Sequence, residues 1–581
     1  MLTKLMFRLL PVQILLAAVS AVNGIVSSFF ASNYVGVNAM SAVGLYSPLS
    51  MFINAVSTIL VGGSVILCGK YMGENREDKM RNIFSLNLVL TVLISLLFVV
   101  IFVIMGFFDL TGFITGDPVI RPLFNRYLLG QSIGVLPLML GNSFAAFLLL
   151  ENKGRRTLVA SLVYIGVNVI LNFVFVQFLQ MQELGLALAS SLGMWVFLGI
   201  QAQYYMSGKS HLKFSAKKLD WGETKDVFKI GVPGALSFVY QTVRGLIDNA
   251  LLGTYVGAVG ISALATSDNL LRIFWAVPIA MLAVSRLLIS VSIGEEDRQT
   301  LTDVMRVMFR RYIPLMCAIC LAIIVCAYPL TYIFYQDPSS DAFIMTMWGF
   351  RIMTICMPLS IICMHFTCYA QASGKQFLVH ILALLDGVVC VAGFTAILIP
   401  SVGMNSVYIA NVLNGVVTTI VIILYSIIRK KSFPTNMEKL MVIDDDFGVP
   451  QEERMDLSLK SNLDISAVAA NVQQFCKGRG IDERRSYLAG LAMEEMAGNI
   501  VDHGFTKDKK NHSVDVRVVH KGDNIILRIK DDCIPFDPAE RLKITSGDDI
   551  MKNIGIRMVY KIASEVTYQN ILGLNVLTIK I

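Results

Sequence analysis

Twelve times between Leu9 and Ile428 the chain runs for more than twenty residues with hardly a charge, then breaks into a short polar loop. A helix of about twenty residues crosses the roughly 30 Å hydrocarbon layer of a bilayer, and within that layer only helices and closed barrels satisfy their own backbone. The runs are Leu9 to Phe30, Ala42 to Cys68, Ile83 to Phe107, Tyr127 to Leu150, Leu158 to Leu179, Gly185 to Tyr205, Val227 to Leu252, Ile261 to Ile293, Tyr312 to Phe334, Phe343 to Ala370, Phe377 to Ile399 and Val402 to Ile428. They predict a polytopic α-helical membrane protein of about twelve helices. A hydrophobic content of 55%, a charged content of 16% and a mean hydropathy of +0.64 agree. From Arg429 onward the polar density is that of a soluble domain, so the chain has two parts. Ten cysteines do not make a disulfide framework here: Cys317 and Cys320 form a CxxC, but inside an apolar run, where buried thiols are expected.

The apolar part repeats. SSFFASNYVGVNAMSAVGL from Ser27 aligns with DNALLGTYVGAVGISALAT from Asp248 at an offset of 221 residues. The same offset pairs Gly24 with Gly245, Tyr34 with Tyr255, Ser41 with Ser262, Ala42 with Ala263, Gly73 with Gly294, Glu74 with Glu295 and Pro137 with Pro358. Two tandem six-helix lobes follow, over 1–215 and 216–430. The first run, although Lys4 and Arg8 precede it in the manner of a secretory signal, is then a structural member of its lobe.

Loop charge sets the orientation. With the start of the chain inside, the cytoplasmic loops hold clusters such as Lys70, Arg76, Lys79 and Arg81, or Arg298, Arg306, Arg310 and Arg311, while the opposite loops hold little beyond Arg121 and Arg126. Lysine and arginine collect on the cytoplasmic side, so both termini are expected in the cytoplasm of a cell with an inner membrane.

FFASNYVGVNAMSAVGLYSPL, the loop GKYMGENREDKMRN, the proline of the fourth helix, GLALASS at the sixth and the tandem repeat together resemble the multidrug and toxic compound extrusion (MATE) family. The resemblance covers roughly residues 1–430. It implies two lobes around a cleft, alternating access, and export of amphipathic, often cationic, small molecules in exchange for protons or sodium ions. Lipid-linked precursor flippases share the plan, so a lipid cargo stays open. Many bacterial relatives carry an acid in helix one where this chain has Ser27, so their ion site in the first lobe does not transfer.

Charges inside the apolar runs supply other candidates for ion coupling. Arg244 and Asp248 are four apart on helix seven, and Asp268 and Arg272 four apart on helix eight, so each pair can meet along one helical face. They either satisfy one another between packed helices or respond to cargo and coupling ion, since charge facing lipid is costly. Asp386 on helix eleven is a third candidate, ranked below the pairs. Asn168 and Asn172 on helix five are read equally as cargo contacts or as interhelical hydrogen bonds.

After a polar linker, 431–454, the pattern of 455–581 predicts strand, two helices, then strands at Ser513 to His520, Asn524 to Lys530, Glu565 to Gln569 and Val576 to Ile581, an α/β sandwich. No GxxxxGK[ST] occurs, so no P-loop is expected. MEEMAGNIVDHGF on the second helix, followed by KDDCIPFDP, SGDDIMKNIGIRMVYKIA and TYQNILGLNVLTI, resembles the histidine-kinase-like ATPase fold, most closely its anti-sigma-factor serine-kinase branch. The resemblance implies ATP with Mg as cofactors. Glu495 would be the general base, Asn499 the Mg ligand, and Asp531 the acceptor for the adenine amine. Gly555 would let backbone N–H groups approach phosphate, and His503 extends the helical stripe or packs. Two departures from the pattern weaken catalysis more than binding: Cys533 stands where relatives have glycine, and Asn553 replaces the first glycine of the lid. The domain would be a regulator of the transporter, a serine kinase acting on a cytosolic anti-sigma-antagonist-like protein, or the output of a sensor whose transporter half detects cargo. The lipid bilayer is the other expected partner; nucleic acid is not one.

Overall fold

The computed structural model describes all residues except 1, 31–34, 36, 116, 209, 216–218, 450–452, 460–464, 505–511, 513, 545–553 and 572. The chain divides into two compact units, one of residues Met6–Glu295 and Gln299–Ile443, the other of Asp444–Ile581 together with Met1–Leu5 and Glu296–Arg298.

Up to Lys430 the described residues hold twelve long helical segments: α1 (Leu2–Phe30), α2 (Val37–Gly73), α3 (Glu77–Phe107), α4 (Ile120–Leu150), α5 (Gly154–Phe178), α6 (Gln182–Met206), α7 (Thr224–Tyr255), α8 (Ala258–Gly294), α9 (Arg298–Val325), α10 (Asp341–Ala372), α11 (Gln376–Val402) and α12 (Asn405–Lys430). Among the described residues, ten of these are long and apolar enough to cross a membrane. Three contain a π-helical turn, at Phe173–Phe178, Met308–Tyr312 and Leu385–Val389, where one inserted residue rotates the rest of the helix face.

The repeat is visible in the element bounds. α2 and α8 are each 37 residues long and start 221 residues apart, as do α3 and α9 and α4 and α10. Their glycines explain the match. Gly73 lies against the backbone of Val291 and Gly294, and Gly294 against the carbonyl of Lys70, so closely that a Cβ on either would overlap main chain. Without a hydrophobic drive between helices in lipid, close backbone approach at small residues supplies the attraction. Polar contacts add to it: Asn87 Nδ2 donates to the Leu60 carbonyl at 3.0 Å and to Ser64 Oγ at 3.1 Å, joining α3 to α2.

In the smaller unit, β1 (Arg454–Leu459), β2 (Val514–Lys521), β3 (Asn524–Asp531), β4 (Glu565–Ile571) and β5 (Leu574–Lys580) form one antiparallel sheet in the order β1-β2-β3-β5-β4. α13 (Ile465–Gly478), α14 (Glu483–Gly504), α15 (Pro538–Ile544) and α16 (Ile554–Ile562) complete it. The core is the alternate residues of the strands, Val514, Val516 and Val518 on β2 and Ile525, Leu527 and Ile529 on β3, against Ala489, Met493, Met496 and Ala497 of α14. Period-two burial on β3 is what the sequence alternation dictates. Within this unit Asp297 is buried among basic side chains, paired with Arg517 and 3.2 Å from Lys530 Nζ.

Overpacking at the α2/α8 contact is expected to cost about 1–3 kcal/mol. Gly294→Leu should lower the melting temperature of the purified full chain, whereas Gly393→Ala, where a Cβ meets nothing within 4 Å, should leave it within error. Equal melting temperatures for Gly294→Leu and the parent would remove the contact from the architecture.

Candidate functional site

α7 and α8 are long enough to carry polar side chains deep inside the larger unit, and the charged residues of both helices open onto one cavity of about 960 Å³. Arg244 and Asp248 from α7 and Asp268 and Arg272 from α8 line it, with Asn54 and Asn142 from the first lobe and Asn411 from α12. The two four-residue pairs are therefore brought together, but neither closes into a direct ion pair: among the described residues no N···O contact within 4.0 Å joins Arg244 to Asp248 or Asp268 to Arg272. Asp248 is 5% exposed and its Oδ1 meets no hydrogen-bond donor among the described residues. Asp268 lies within electrostatic range of both Arg244 and Arg272.

The remaining transport candidates lie elsewhere. Asp386 sits in the π turn of α11, half-buried, and accepts from Asn414 Nδ2 of α12 at 2.8 Å. Asn172 Nδ2 donates to Asn168 Oδ1 at 2.9 Å and to its carbonyl at 2.8 Å, while Asn168 Nδ2 donates to Ser190 Oγ of α6 at 3.3 Å. Both asparagines are buried between α5 and α6 and neither lines the cavity. The side chain of Ser27 lies outside the described residues.

Arg286 of α8 lines the same cavity and was not foreseen. Its signal is in the spacing: it follows Asp268 by eighteen residues, five full helical turns, on the same face. His365 was also missed; fully buried on α10, it donates from Nδ1 to the Ile361 carbonyl at 2.8 Å and pairs through Nε2 with Ser285 Oγ at 2.9 Å.

In the smaller unit Asn499 of α14 and Asp531 at the end of β3 face one cavity of about 180 Å³, walled by Met496, Ile500, Ile534, Phe536 and Leu577. Asp531 is 2% exposed, and its Oδ1 accepts from the Cys533 N–H at 2.9 Å and from Asn575 Nδ2 at 2.7 Å, which leaves Oδ2 as the remaining acceptor. Burial pushes the Asp531 carboxyl above its ordinary value, and those two donors only partly offset it. Asn575 was not foreseen. It is held in turn by Tyr568, whose hydroxyl donates to Asn575 Oδ1 at 2.8 Å and accepts from the Phe536 N–H at 3.1 Å. Burial pushes the Tyr568 hydroxyl up to about 12, so it stays a donor.

One turn before Asn499, Glu495 lies with its carboxylate against Gly555, the second residue of α16, where any Cβ would overlap it. A carboxylate at a helix N-terminus is favoured by the helix dipole, and phosphate would be favoured in the same place. Asn499 Nδ2 donates to the Glu495 carbonyl at 2.7 Å, leaving its amide oxygen for a cation. An oxygen donor one turn from a carboxylate is a fit for Mg. Asn553 and the His503 side chain lie outside the described residues. Cys533 is buried beside Asp532, whose Oδ1 is 3.3 Å from His512 Nδ1.

The larger unit thus has the build of a two-lobed membrane transporter with a polar central cavity. Residues 14–174 and 233–397 match the MatE family model, and 460–581 match that of the histidine kinase-like ATPase domain; the chain belongs to the MATE family and carries that ATPase domain after it. Proteins named as probable multidrug resistance protein NorM, from Bacillus anthracis and Bacillus cereus, are 22% identical over 254 residues, which is 41% of this chain. That match spans about half, 55%, of their length. An outward-facing multidrug resistance MATE transporter of the MOP superfamily superposes with a TM-score of 0.67 at 19% identity, over 74% of this chain and 97% of its own. A mutant of the Vibrio cholerae MATE transporter VcmN gives 0.68 at 16%, over 74% and 98%. At such identities the likeness is one of fold.

Because the folded Asp531 binds its proton more tightly than the unfolded chain does, its effect on stability is most favourable below the ordinary value of 3.8 and is lost as pH rises through the higher folded value. Asp531→Asn keeps an oxygen for both donors and cannot ionise. The variant should melt higher than the parent at pH 8, with the gap closing toward about pH 4. A gap that does not depend on pH would contradict the burial argument.

Proposed function

We propose that this protein is a MATE-type exporter of amphipathic small molecules, driven by exchange for protons or sodium ions, whose transport is regulated by ATP binding in a cytoplasmic C-terminal domain. The observation that carries the exporter reading is the cavity of about 960 Å³ with two aspartates and three arginines, in a family whose members named NorM are described as probable multidrug resistance proteins. The size lies at the upper end of small-molecule sites, about 300–1,000 Å³. Ionisable groups kept inside a membrane at such cost are by default part of the transport path.

Asp248 and Asp268 are assigned the coupling role. Each is held near, but not bonded to, an arginine, so its charge is stabilised through space while its oxygens remain open to a proton or sodium ion. Cargo or ion arriving in the cavity shifts which partners the carboxylates hold, and the lobes settle into the arrangement that ligand binds better. Asp386, Asn168 and Asn172 are given structural roles on their hydrogen bonds.

The positive loops assign both termini to the cytoplasm, where ATP is present. Under this reading Asp531 Oδ2 would accept from the adenine amine, the apolar walls would hold the ring, and Asn499 would help hold Mg, whose charge would offset that of the phosphates. A regulatory role is favoured over a kinase role by the tight seat of Glu495 against Gly555: the base must leave that seat before phosphate enters, so binding ATP itself moves α16 relative to α14.

In proteoliposomes, Asp248→Asn and Asp268→Asn should each reduce ion-driven flux at least about tenfold without loss of folded protein; undiminished flux with both changed would overturn the coupling assignment. For the C-terminal domain, Asn499→Ala should abolish Mg-dependent ATP binding by the full chain. Glu495→Gln should retain it while any hydrolysis or phosphotransfer falls by about 10²-fold or more. No calorimetric signal from the parent protein at millimolar ATP would overturn the nucleotide reading.

A further inference from the structure

Arg286 stands in the apolar helix α8 with the cavity on one side, and its Nε is buried without a hydrogen-bond acceptor among the described residues. No described carboxylate comes within 4.0 Å of its guanidinium. The groups beside it are His365, which is already committed to Ser285 and Ile361, and the Cys368 thiol. An arginine in a membrane interior without a counter-charge costs several kcal/mol, and such groups persist where a ligand supplies the partner.

Charge elsewhere along the cavity does not cancel it. Arg244 and Arg272 are matched one for one by Asp248 and Asp268, so Arg286 is the unmatched charge among the five. The first lobe offers no remedy from α1 or α2, since no acidic or basic residue occurs anywhere between Arg8 and Lys70.

Spacing along α8 adds a second element. Eighteen residues from Asp268 to Arg286 span about 27 Å on one face, so the unmatched arginine and the charge-matched quartet occupy different levels of an elongated cavity. The rest of the lining is mixed, with Ser57 and Thr58 as well as Met51, Val61 and Phe238. That suits a molecule with one charged group and an apolar body.

Resting on the exporter reading for this cavity, we propose that its cargo is an amphipathic anion, carrying a phosphate or carboxylate that pairs with Arg286. Guanidinium presents a planar fork of donors that matches either group in two parallel hydrogen bonds, and each charge-assisted bond is far stronger in a cavity than in water. A cationic cargo would meet Arg286 with repulsion at one level and could be matched only at Asp248 and Asp268. The shared chemistry admits two sources, a soluble phosphorylated or carboxylated compound and a lipid with an anionic headgroup.

The test uses the purified full chain in an uncharged detergent, titrated by calorimetry with 1-naphthyl phosphate, with its matched cation (1-naphthylmethyl)trimethylammonium, and with lysophosphatidic acid as the lipid arm. At least one phosphate should bind about ten- to a hundred-fold tighter than the cation, the size of one or two charge-assisted bonds. Which of the two binds better identifies the source. Arg286→Gln should erase the preference, and Arg286→Lys should restore part of it. Size-exclusion profiles and melting temperatures exclude unfolding as the cause, and the lysine variant separates charge from packing.

Tighter binding of the cation, phosphate binding unchanged in Arg286→Gln, or no binding of any probe would each overturn the proposal. Failure of the exporter reading looks different. Cation binding that depends on Asp268, with flux in proteoliposomes, would keep the exporter and discard the anion; phosphate binding lost in Arg286→Gln, with no flux of either charge, would keep the site and discard the exporter.

Discussion

The structure is organised by the cost of charge inside a hydrocarbon layer. Asp248, Asp268, Arg244, Arg272 and Arg286 lie within long, mostly uncharged stretches of α7 and α8, and each would lose several kcal/mol if it faced lipid or packed against a dry neighbour. The fold meets that constraint by turning α7 and α8 so that their charged faces border a single cavity between polar residues of the other helices. A cavity of that size must be kept open by the packing around it. The close backbone crossings supply that frame: Gly73 against Gly294 ties α2 to α8, and Gly63 and Gly231 let α2 and α7 approach as closely. Small residues therefore hold the wall together while the charged residues give its interior polar character.

Much of this was legible in sequence because two independent periodicities were strong. Apolar runs anticipated twelve long helices, of which ten among the described residues are long and apolar enough to cross a membrane, and the 221-residue offset grouped them so firmly that α2 and α8 begin and end in step. The four-residue spacing of Arg244 with Asp248 and of Asp268 with Arg272 showed which faces carry charge. It did not show that the pairs stay apart. Spacing along one helix gives direction, whereas an ion pair also needs rotamers that neighbouring helices permit, and those helices come from distant sequence. Arg286 escaped notice for a related reason: it has no partner four residues away, and its relation to Asp268 appears only when five turns of helix are counted.

The smaller unit gives the same lesson at shorter range. Alternation placed its strands within two residues of where they lie, and the acid, amide and glycine that face one another there came from a resemblance rather than from periodicity. Asn575 was hidden because it occupies a buried position of β5 between aliphatic residues, in a strand that reads as core. Its role follows only from register, since pairing β3 with β5 sets Asn575 directly across from Asp531. The network from Phe536 through Tyr568 and Asn575 to Asp531 is thus a product of strand pairing, invisible along the chain.

Glu495 and Gly555 show why such non-local contacts matter for mechanism. The acid and the glycine are sixty residues apart, yet only a residue without a side chain at Gly555 lets the Glu495 carboxylate occupy the start of α16. A carboxylate at the start of a helix is favoured by the helix dipole, and a phosphate would compete for the same place. If the domain binds nucleotide as proposed, a triphosphate would be such a competitor, and its entry would require the Glu495 carboxylate to move. Under that proposal the domain would report nucleotide through the contact of Glu495 with Gly555, with or without phosphoryl transfer.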